Sequence, residues 1–299
     1  MVDFPAAYAV DIALSTRSHE RIGDRRTDDA WLAEKWADPT TRVLVLAGGR
    51  FPLTDDGAAV AWVSPDQAPD GDRVLLGERD GVVHFMVLAR GVRAPEEWGM
   101  LRTVGPQLSQ VEAGFLVQAQ ALSEWHRSHR FCARCGGGLT VGQSGYVLTC
   151  ESCGRQHFPR TDPAVIMLVT DGERALLGRQ PAWPEGRYST LAGFVDPGES
   201  LEQAVAREVM EETGVEVGEV SYFGNQPWPF PSSLMVGFFA RAVTTEIRVD
   251  QDELEDARWF SREEMKTEAE AGTLVLPGGI SISRSLVEAW YGGPLPGAW

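Results

Sequence analysis

Residues 193–215 join a glycine loop to a short segment that is unusually rich in carboxylates. Their periodicity predicts a helix over Leu201–Thr213. At about 100° per residue, Glu208 and Glu212 fall within roughly 60° of Val205, in the middle of the apolar stripe. Like charges four residues apart repel, and an unpaired buried charge is costly. The stretch therefore predicts a site for a divalent cation that acts on a phosphate substrate. The alternative is an ordinary acidic surface helix.

The residues around this helix support its bounds. Ser200 and Gln203 have the spacing of a capping box at its start. Gly214 fits the left-handed position that follows a helix. Arg207 has the reach to orient Glu199 through a bidentate pair.

The same residues resemble a known signature. Gly193, Glu199 after five intervening residues, and the run Arg207–Val215 after seven more fill every fixed position of the Nudix hydrolase pattern. The resemblance implies an enzyme that hydrolyses a nucleoside diphosphate linked to another group. It also implies dependence on Mg²⁺ or Mn²⁺.

Length and charge limit the alternatives. The chain has 299 residues, enough for two or three domains, and its formal net charge is −16. That charge disfavours non-specific binding to nucleic acid. No apolar run is long enough to span a membrane, and the first twenty residues lack a basic region of the secretory type. We expect a cytoplasmic protein without membrane contact.

All four cysteines of the chain fall in two C-x-x-C pairs. They are Cys132, Cys135, Cys150 and Cys153. Two such pairs are typical of a closed, structural zinc site with four thiolate ligands. The glycines at 136–138 and 154 suit the tight turns of a zinc ribbon. Two disulfides would need a secreted protein, and a redox site would need one pair only.

Other residues near the cysteines admit two interpretations. His126 and His129 lie close to the cysteine pairs, but we expect them to be packing or surface residues, since four thiols complete the site. Five arginines could form a local basic groove, although scattered ion pairs are the favoured interpretation. They are Arg127, Arg130, Arg134, Arg155 and Arg160.

The order of elements predicts an α+β protein in three parts: residues 1–112, 113–158 and 159–299. The first is a small, sheet-rich domain with apolar runs at 41–46, 58–63 and 82–88 and a turn at 70–72. The second is a helix over 113–130 followed by the ribbon.

The third part is expected to be an α+β sandwich, and the resemblance specifies the Nudix α/β/α form with a mixed sheet. Its predicted strands are 163–169, 174–177, 188–195, 235–242 and 257–260. We expect helices at 263–270 and from about Ile282 onward.

Residues 225–233 read NQPWPFPSS. Alternating prolines predict an extended loop that presents Trp228 and Phe230 as rigid plates for stacking on a base or a nicotinamide ring. Gln226 and Ser233 could supply hydrogen bonds nearby. The alternative is a loop whose aromatic rings simply cover the core.

This segment adds a narrower resemblance. QPWPFP followed by serine, behind a four-cysteine ribbon and a Nudix signature, is similar to the NADH pyrophosphatases. Three positions depart from that family. Asn225 stands where the family has Ser, Phe158 where it commonly has Tyr, and Ser283 where it commonly has Ala.

The resemblance implies a set of site residues. Glu208, Glu212, Glu253 and the carbonyl of Ala192 would hold the catalytic Mg²⁺ or Mn²⁺. The catalytic set is Glu199, Arg207, Glu208, Glu211, Glu212 and Glu253. The substrate-binding set is Phe158, Phe194, Gln226, Pro227, Trp228, Pro229, Phe230, Pro231, Ser232, Ser233 and Ser283. The resemblance also implies a homodimer.

The predicted reaction is hydrolysis of the pyrophosphate of NADH or NAD to nicotinamide mononucleotide and AMP. The same site could remove a terminal NAD cap from the 5′ end of RNA. Two alternatives remain: a Nudix enzyme for ADP-ribose or dinucleoside polyphosphates, and an inactive module whose zinc ribbon contacts nucleic acid.

Overall fold

The computed structural model describes residues 12–89 and 91–297. The chain folds into two compact units. The first contains Thr16–Thr161 and Trp228–Ser232; the second contains Asp162–Pro227 and the described parts of Met1–Ser15 and Ser233–Trp299. The predicted boundaries after residues 112 and 158 stay predictions. Among the described residues, no helix combines the length and the apolar character needed to cross a membrane.

The first unit is built from small sheets around one long helix. Its elements are α1 (Asp29–Ala37), β1 (Arg42–Leu46), β2 (Arg50–Phe51), β3 (Gly71–Arg79), β4 (Val82–Ala89), β5 (Gly99–Met100), α2 (Leu101–Val104), α3 (Gln110–Ser128), β6 (Leu139–Gly142), β7 (Val147–Cys150) and β8 (Gln156–His157). One sheet has the order β1-β4-β3, and β6-β7-β8 form the ribbon. β2 and β5 pair by themselves. The prediction of a sheet-rich first part is thus confirmed.

The long helix α3 differs slightly from its predicted range. It begins at Gln110 because the Ser109 side chain accepts a hydrogen bond from the Glu112 amide, and it ends at Ser128. Its apolar face, which includes Phe115 and Trp125, is buried as predicted.

Two predictions in the first unit are wrong. Residues 58–63 make only single bridges, at Val60 and Val63, because a turn from the Trp62 amide to the Val60 carbonyl bends the chain between them. The turn expected at 70–72 is partly strand, since β3 begins at Gly71. A Cβ at Gly71 would lie 2.3 Å from the Leu88 carbonyl oxygen. This glycine therefore permits close strand approach rather than a turn.

The second unit is a six-stranded sheet between helices. Its elements are β9 (Asp162–Thr170), β10 (Arg174–Arg179), β11 (Leu191–Phe194), α4 (Leu201–Thr213), β12 (Val217–Trp228, whose last residue belongs to the first unit), β13 (Ser233–Ala242), β14 (Asp256–Ser261), α5 (Arg262–Glu270) and α6 (Ile282–Tyr291). The strand order is β12-β13-β9-β10-β14, and β11 also pairs with β9. β13 runs parallel to β9, whereas β10 and β11 run antiparallel to it. The sheet is mixed, as expected.

The predicted strand over 188–195 is shorter in the structure. Only Leu191–Phe194 pairs with β9. Tyr188 instead donates its amide to the Val275 carbonyl, and Ser189 makes a single bridge with Gly178. The chain therefore changes partners before β11 begins, which apolar periodicity does not reveal.

Side chains of the central strand β9 point alternately into the two cores that lie on opposite faces of the sheet. Val165 and Met167 point into a core that contains Val205 of α4. Ile166 and Leu168 point into the opposite core, which contains residues of α5 and α6. Successive side chains of a strand face opposite sides, so both faces of β9 are buried under helices. This arrangement confirms the α/β/α sandwich.

Candidate active site

The acidic helix α4 forms over the predicted residues. The Ser200 hydroxyl accepts a hydrogen bond from the Gln203 amide at 3.3 Å, and the Gln203 side chain accepts one from the Ser200 amide at 2.9 Å. Gly214 ends the helix at φ 68°. The capping box and the left-handed glycine are both confirmed.

Arg207 connects the glycine loop to the helix. Its Nε and Nη2 donate to the two oxygens of Glu199 at 2.7 and 2.9 Å, so the predicted bidentate pair forms. Its remaining hydrogen bonds reach Glu208, Glu211 and the Phe194 carbonyl at 2.9 to 3.0 Å. The Arg207 side chain lowers the pKa of Glu199 to about 2. Glu199 is therefore ionised at neutral pH and holds the loop rather than accepting a proton.

Three carboxylates meet beside this arginine. Glu208, Glu212 and Glu253 each offer an oxygen, and these oxygens lie within 4.8 Å of one another. Glu208 and Glu212 are buried, being 8% and 5% exposed. The ordinary surface-helix interpretation predicts exposed carboxylates, and the structure contradicts it.

Among the described residues, no cationic side chain pairs with Glu212. Its Oε2 is buried and has no hydrogen-bond partner among the described residues. Burial, followed by the charges of Glu208, Glu253 and Glu211, raises the pKa of Glu212 to about 8. Burial also raises the pKa of Glu208. Although Arg207 pairs with Glu208, a cluster of hard oxygen ligands in which one buried oxygen has no partner fits a bound divalent metal ion.

Gly193 makes room for this arrangement. A Cβ there would lie 1.9 to 2.2 Å from the carboxyl atoms of Glu208. Since that distance is far inside van der Waals contact, only glycine allows the Glu208 carboxylate to sit against β11. Ala192, the residue before it, pairs with Ile166 in the sheet. A metal contact from the Ala192 carbonyl stays a prediction.

Glu253 arrives from a separate turn. The Asp250 amide donates to the Glu212 carbonyl at 3.2 Å, and the Arg248 amide donates to the Thr213 carbonyl at 2.7 Å. These bonds fix the acidic segment to the end of α4 and bring Glu253 to the cluster. The residue pattern alone did not distinguish Glu253 from its acidic neighbours; only the family resemblance named it.

The four cysteines also come together. Their sulfurs lie within 4.8 Å of one another, with Cys135 3.5 Å from Cys150 and Cys132 3.7 Å from Cys153. A tetrahedron with ~2.3 Å zinc–sulfur bonds has sulfurs about 3.8 Å apart. The Cys153 amide lowers the pKa of the Cys150 thiol to about 6. All four are free thiols, not disulfides, and they fit a tetrahedral zinc site.

The histidines near the ribbon have other partners. His126 Nε2 lies 2.8 Å from the Gly145 carbonyl, and His129 Nδ1 lies 3.1 Å from the Trp125 carbonyl. Neither belongs to the cysteine cluster, which agrees with the prediction. Sequence reasoning missed His157, whose Nε2 lies 3.4 Å from the Cys132 sulfur. Of the five arginines proposed for a basic groove, Arg127 pairs with Glu124.

The proline-rich segment is not an extended loop, and that prediction is wrong. Residues 225–228 end the edge strand β12, and residues 229–232 form a turn into β13. Pro227 is tolerated there because an edge strand leaves some backbone amides unpaired. Trp228 and Phe230 pack edge to face, with centroids 5.1 Å apart. Both rings are partly buried.

The other predicted substrate contacts have diverse environments. Gln226 is fully buried: its Nε2 donates to the carbonyls of Ala13 and Ile280, and its Oε1 accepts from the Ile282 amide. The Ser283 hydroxyl is also buried, 2.8 Å from the Ser189 and Thr190 hydroxyls. Pro229 and Ser233 are buried, Pro227 and Ser232 are partly buried, and Pro231 is exposed. Substrate contacts by all of them stay predictions.

Two large aromatic residues of the predicted set are open to solvent. Phe158 is 59% exposed and Phe194 is 58% exposed. Such exposure is unusual for phenylalanine and is consistent with contact to a ligand ring. Sequence reasoning also missed Arg102, whose guanidinium lies over the rings of Trp228 and Phe230.

Comparison with known proteins gives two domain matches in this chain. Residues 160–276 match the NUDIX domain, and residues 127–158 match the NADH pyrophosphatase zinc ribbon domain. The chain is 42% identical over 236 residues to the NAD-capped RNA hydrolase NUDT12 of Homo sapiens, covering 71% of this chain and 51% of that protein. The chain thus spans about half the length of this relative.

A second relative is matched over nearly its whole length. The NAD-capped RNA hydrolase NudC of Mycobacterium bovis (strain BCG / Pasteur 1173P2) is 39% identical over 300 residues, covering 93% of this chain and 94% of that protein. A solved NUDIX hydrolase from Nitrosomonas europaea is 22% identical with a TM-score of 0.45, covering 56% of this chain and 96% of that one. The chain belongs to the Nudix hydrolases, in the group that carries the NADH pyrophosphatase zinc ribbon.

Proposed function

We propose that this chain hydrolyses the pyrophosphate bond of NADH and NAD to nicotinamide mononucleotide and AMP, and that it removes NAD caps from RNA. The observation that carries the proposal is the cluster of Glu208, Glu212 and Glu253 with the unpartnered buried oxygen of Glu212. The ribbon and the relatives named as NAD-capped RNA hydrolases support the choice of substrate.

Different side chains of the site have different roles in the proposed reaction. Glu208, Glu212 and Glu253 would hold Mg²⁺ or Mn²⁺, which when bound would neutralise phosphate charge and lower the pKa of a water molecule. Arg207 keeps Glu199 ionised and fixes the Phe194 carbonyl, so the glycine loop keeps one shape. Since Glu199 is a weak base, a carboxylate of the cluster or Glu211 accepts the proton of the water.

Recognition of the dinucleotide rests on aromatic rings. Phe158, Phe194 and Trp228 offer faces for stacking on a base or on the nicotinamide ring. Gln226 and Ser283 support the site indirectly. Their buried hydrogen bonds hold the first residues of α6 in place. Zn²⁺ in the ribbon is structural. A homodimer and a cytoplasmic location stay predictions, and light scattering measures the first.

The first experiment tests the reaction. The purified chain is incubated with NADH, with and without Mn²⁺, and the products are separated by chromatography. We expect AMP and reduced nicotinamide mononucleotide only with the metal. Glu212→Gln should lower turnover on the order of 1,000-fold, since a catalytic metal supplies several kcal/mol. Glu202→Gln, on the exposed face of the same helix, is the matched control.

Two outcomes would contradict the proposal. Full turnover by Glu212→Gln would remove the metal role of the cluster. Cleavage of ADP-ribose or a dinucleoside polyphosphate in strong preference to NADH would favour the other Nudix specificity. Competition between NADH and NAD-capped RNA at fixed salt then ranks the two preferred substrates.

A further inference from the structure

Trp228, the last residue of β12, and the turn that follows it belong to the first compact unit. Trp228–Ser232 is grouped with Thr16–Thr161, although the strand residues before and after it belong to the second unit. The aromatic residues of this turn are therefore packed with elements from the first part of the chain.

One side chain of the first part contacts both rings. The guanidinium carbon of Arg102 lies 5.6 Å from the centroid of Trp228 and 4.9 Å from that of Phe230. Both distances are within the range of cation–π attraction. Arg102 lies on the short helix α2, which buried Leu101 anchors. A single guanidinium thus contacts two rings that are already packed edge to face.

Arg102 has no competing partner of opposite charge. Within residues 12–89 and 91–297, no carboxylate forms an ion pair with it. Its side chain is exposed. A long, exposed arginine without a carboxylate partner usually samples many rotamers. The rings of Trp228 and Phe230 are the cation–π partners of the Arg102 guanidinium.

We propose that Arg102 is a positioning residue that sets specificity for dinucleotides with a nicotinamide ring. The inference rests on the proposed function, in which Trp228 stacks on that ring. A ring held in one rotamer before binding loses less conformational entropy when the substrate arrives. The guanidinium plane also keeps Phe230 against Trp228. Binding of the ADP half of the substrate does not depend on this contact.

The test compares two substrates that share their ADP half. KM and kcat are measured for NADH and for ADP-ribose, which lacks the nicotinamide ring. We expect Arg102→Ala to raise KM for NADH about three- to tenfold, the size of a partly exposed cation–π contact. Its kcat for NADH and its constants for ADP-ribose should change less than about twofold. Arg102→Lys keeps the charge without the plane and should fall between.

The matched control is Arg73→Ala. Arg73 is an exposed arginine of the same unit that lies 4.0 Å from the ring of Trp36. We expect it to leave KM for both substrates unchanged. Melting temperatures of all variants separate a local effect from general destabilisation.

The outcomes separate the two proposals. If the wild-type chain does not cleave NADH, the proposed function fails, and this inference fails with it. If the wild type cleaves NADH and Arg102→Ala leaves KM for NADH unchanged, only the role of Arg102 is overturned. An equal loss for NADH and ADP-ribose, with a lower melting temperature, would show a purely structural role and also overturn it.

Discussion

The chain gathers two clusters of residues that could hold a metal ion, and they are built in opposite ways. The four cysteines come from two short turns of matching geometry. In each, a glycine amide bonds back to the first cysteine carbonyl, Gly136 to Cys132 at 2.8 Å and Gly154 to Cys150 at 2.9 Å. Both glycines are left-handed, with φ of 73° and 70°. Such a site is complete by local geometry.

The carboxylate cluster is assembled from distant parts of the chain. Glu208 and Glu212 lie on α4, and Glu253 comes from a turn that two backbone bonds fix to the helix end. Glu212 keeps a buried oxygen without a partner. A closed set of four ligands suits a structural ion, whereas an incomplete set leaves positions for water and substrate. The difference predicts that the cysteine cluster supports the fold and that the carboxylate cluster carries the chemistry.

The largest expected effect comes from breaking the cysteine set. Cys150→Ser should lower bound zinc from about one ion per chain to nearly none, because one buried thiolate of the tetrahedron is lost. The melting temperature should fall by several degrees, and NADH turnover should fall with it. Metal analysis and calorimetry measure the first two. Ser152→Ala, in the same turn, is the control.

A contrary result would reverse the comparison between the sites. If Cys150→Ser lost zinc but kept its melting temperature and activity, the ribbon would not support the fold. If it kept zinc, the four thiols would not be the ligands.

The second largest expected effect is a loss of NADH turnover when the space beside Glu208 is filled. Gly193→Ala places a Cβ on the Glu208 carboxylate, so the carboxylate must move. A misplacement of about 1 Å can cost on the order of 100-fold in rate. We expect such a loss of NADH turnover, while zinc content stays unchanged. Gly293→Ala, where a Cβ meets nothing within 4 Å, is the control. Wild-type turnover by Gly193→Ala would mean that Glu208 does not have to occupy this position.

The contrast also explains which parts were predictable from sequence. The bounds of α4 and the four cysteines depend on neighbouring residues, so their spacing specified them. The apolar phase of Glu208 and Glu212 revealed their burial. The family resemblance named Glu253, but the residue pattern alone could not, because its place depends on the backbone bonds of Asp250 and Arg248 rather than on its own neighbours.

The structure of the proline-rich segment also could not be predicted from its local sequence. Its prolines suggested an extended loop, but pairing at a sheet edge made Asn225–Trp228 a strand instead. Gln226 reads as a free polar side chain, yet it is buried and bonded to three backbone groups of distant segments. Arg102 lies far from Trp228 in sequence and carries no motif. Tertiary packing determines the strand at 225–228, the burial of Gln226 and the contact of Arg102 with Trp228. Such packing cannot be read from the residue pattern of a single sequence.

The smallest expected effect is the contribution of Glu212 to the pH dependence of stability. The pKa of Glu212 rises from 4.5 to about 8 in the fold, so between these values the native state binds a proton that the unfolded chain releases. The resulting stability is fully present below pH 4.5 and is lost as pH rises through about 8. With Mg²⁺ and Mn²⁺ withheld, the free energy of unfolding of the wild type should therefore decline more steeply with pH than that of Glu212→Gln. Adding Mn²⁺ should raise the melting temperature more at pH 9 than at pH 6, since the ion displaces a proton at the lower pH. Equal slopes for the two proteins in denaturant titrations would show that Glu212 is ionised without a metal, and the cluster would then resemble the ribbon in being satisfied by the protein alone.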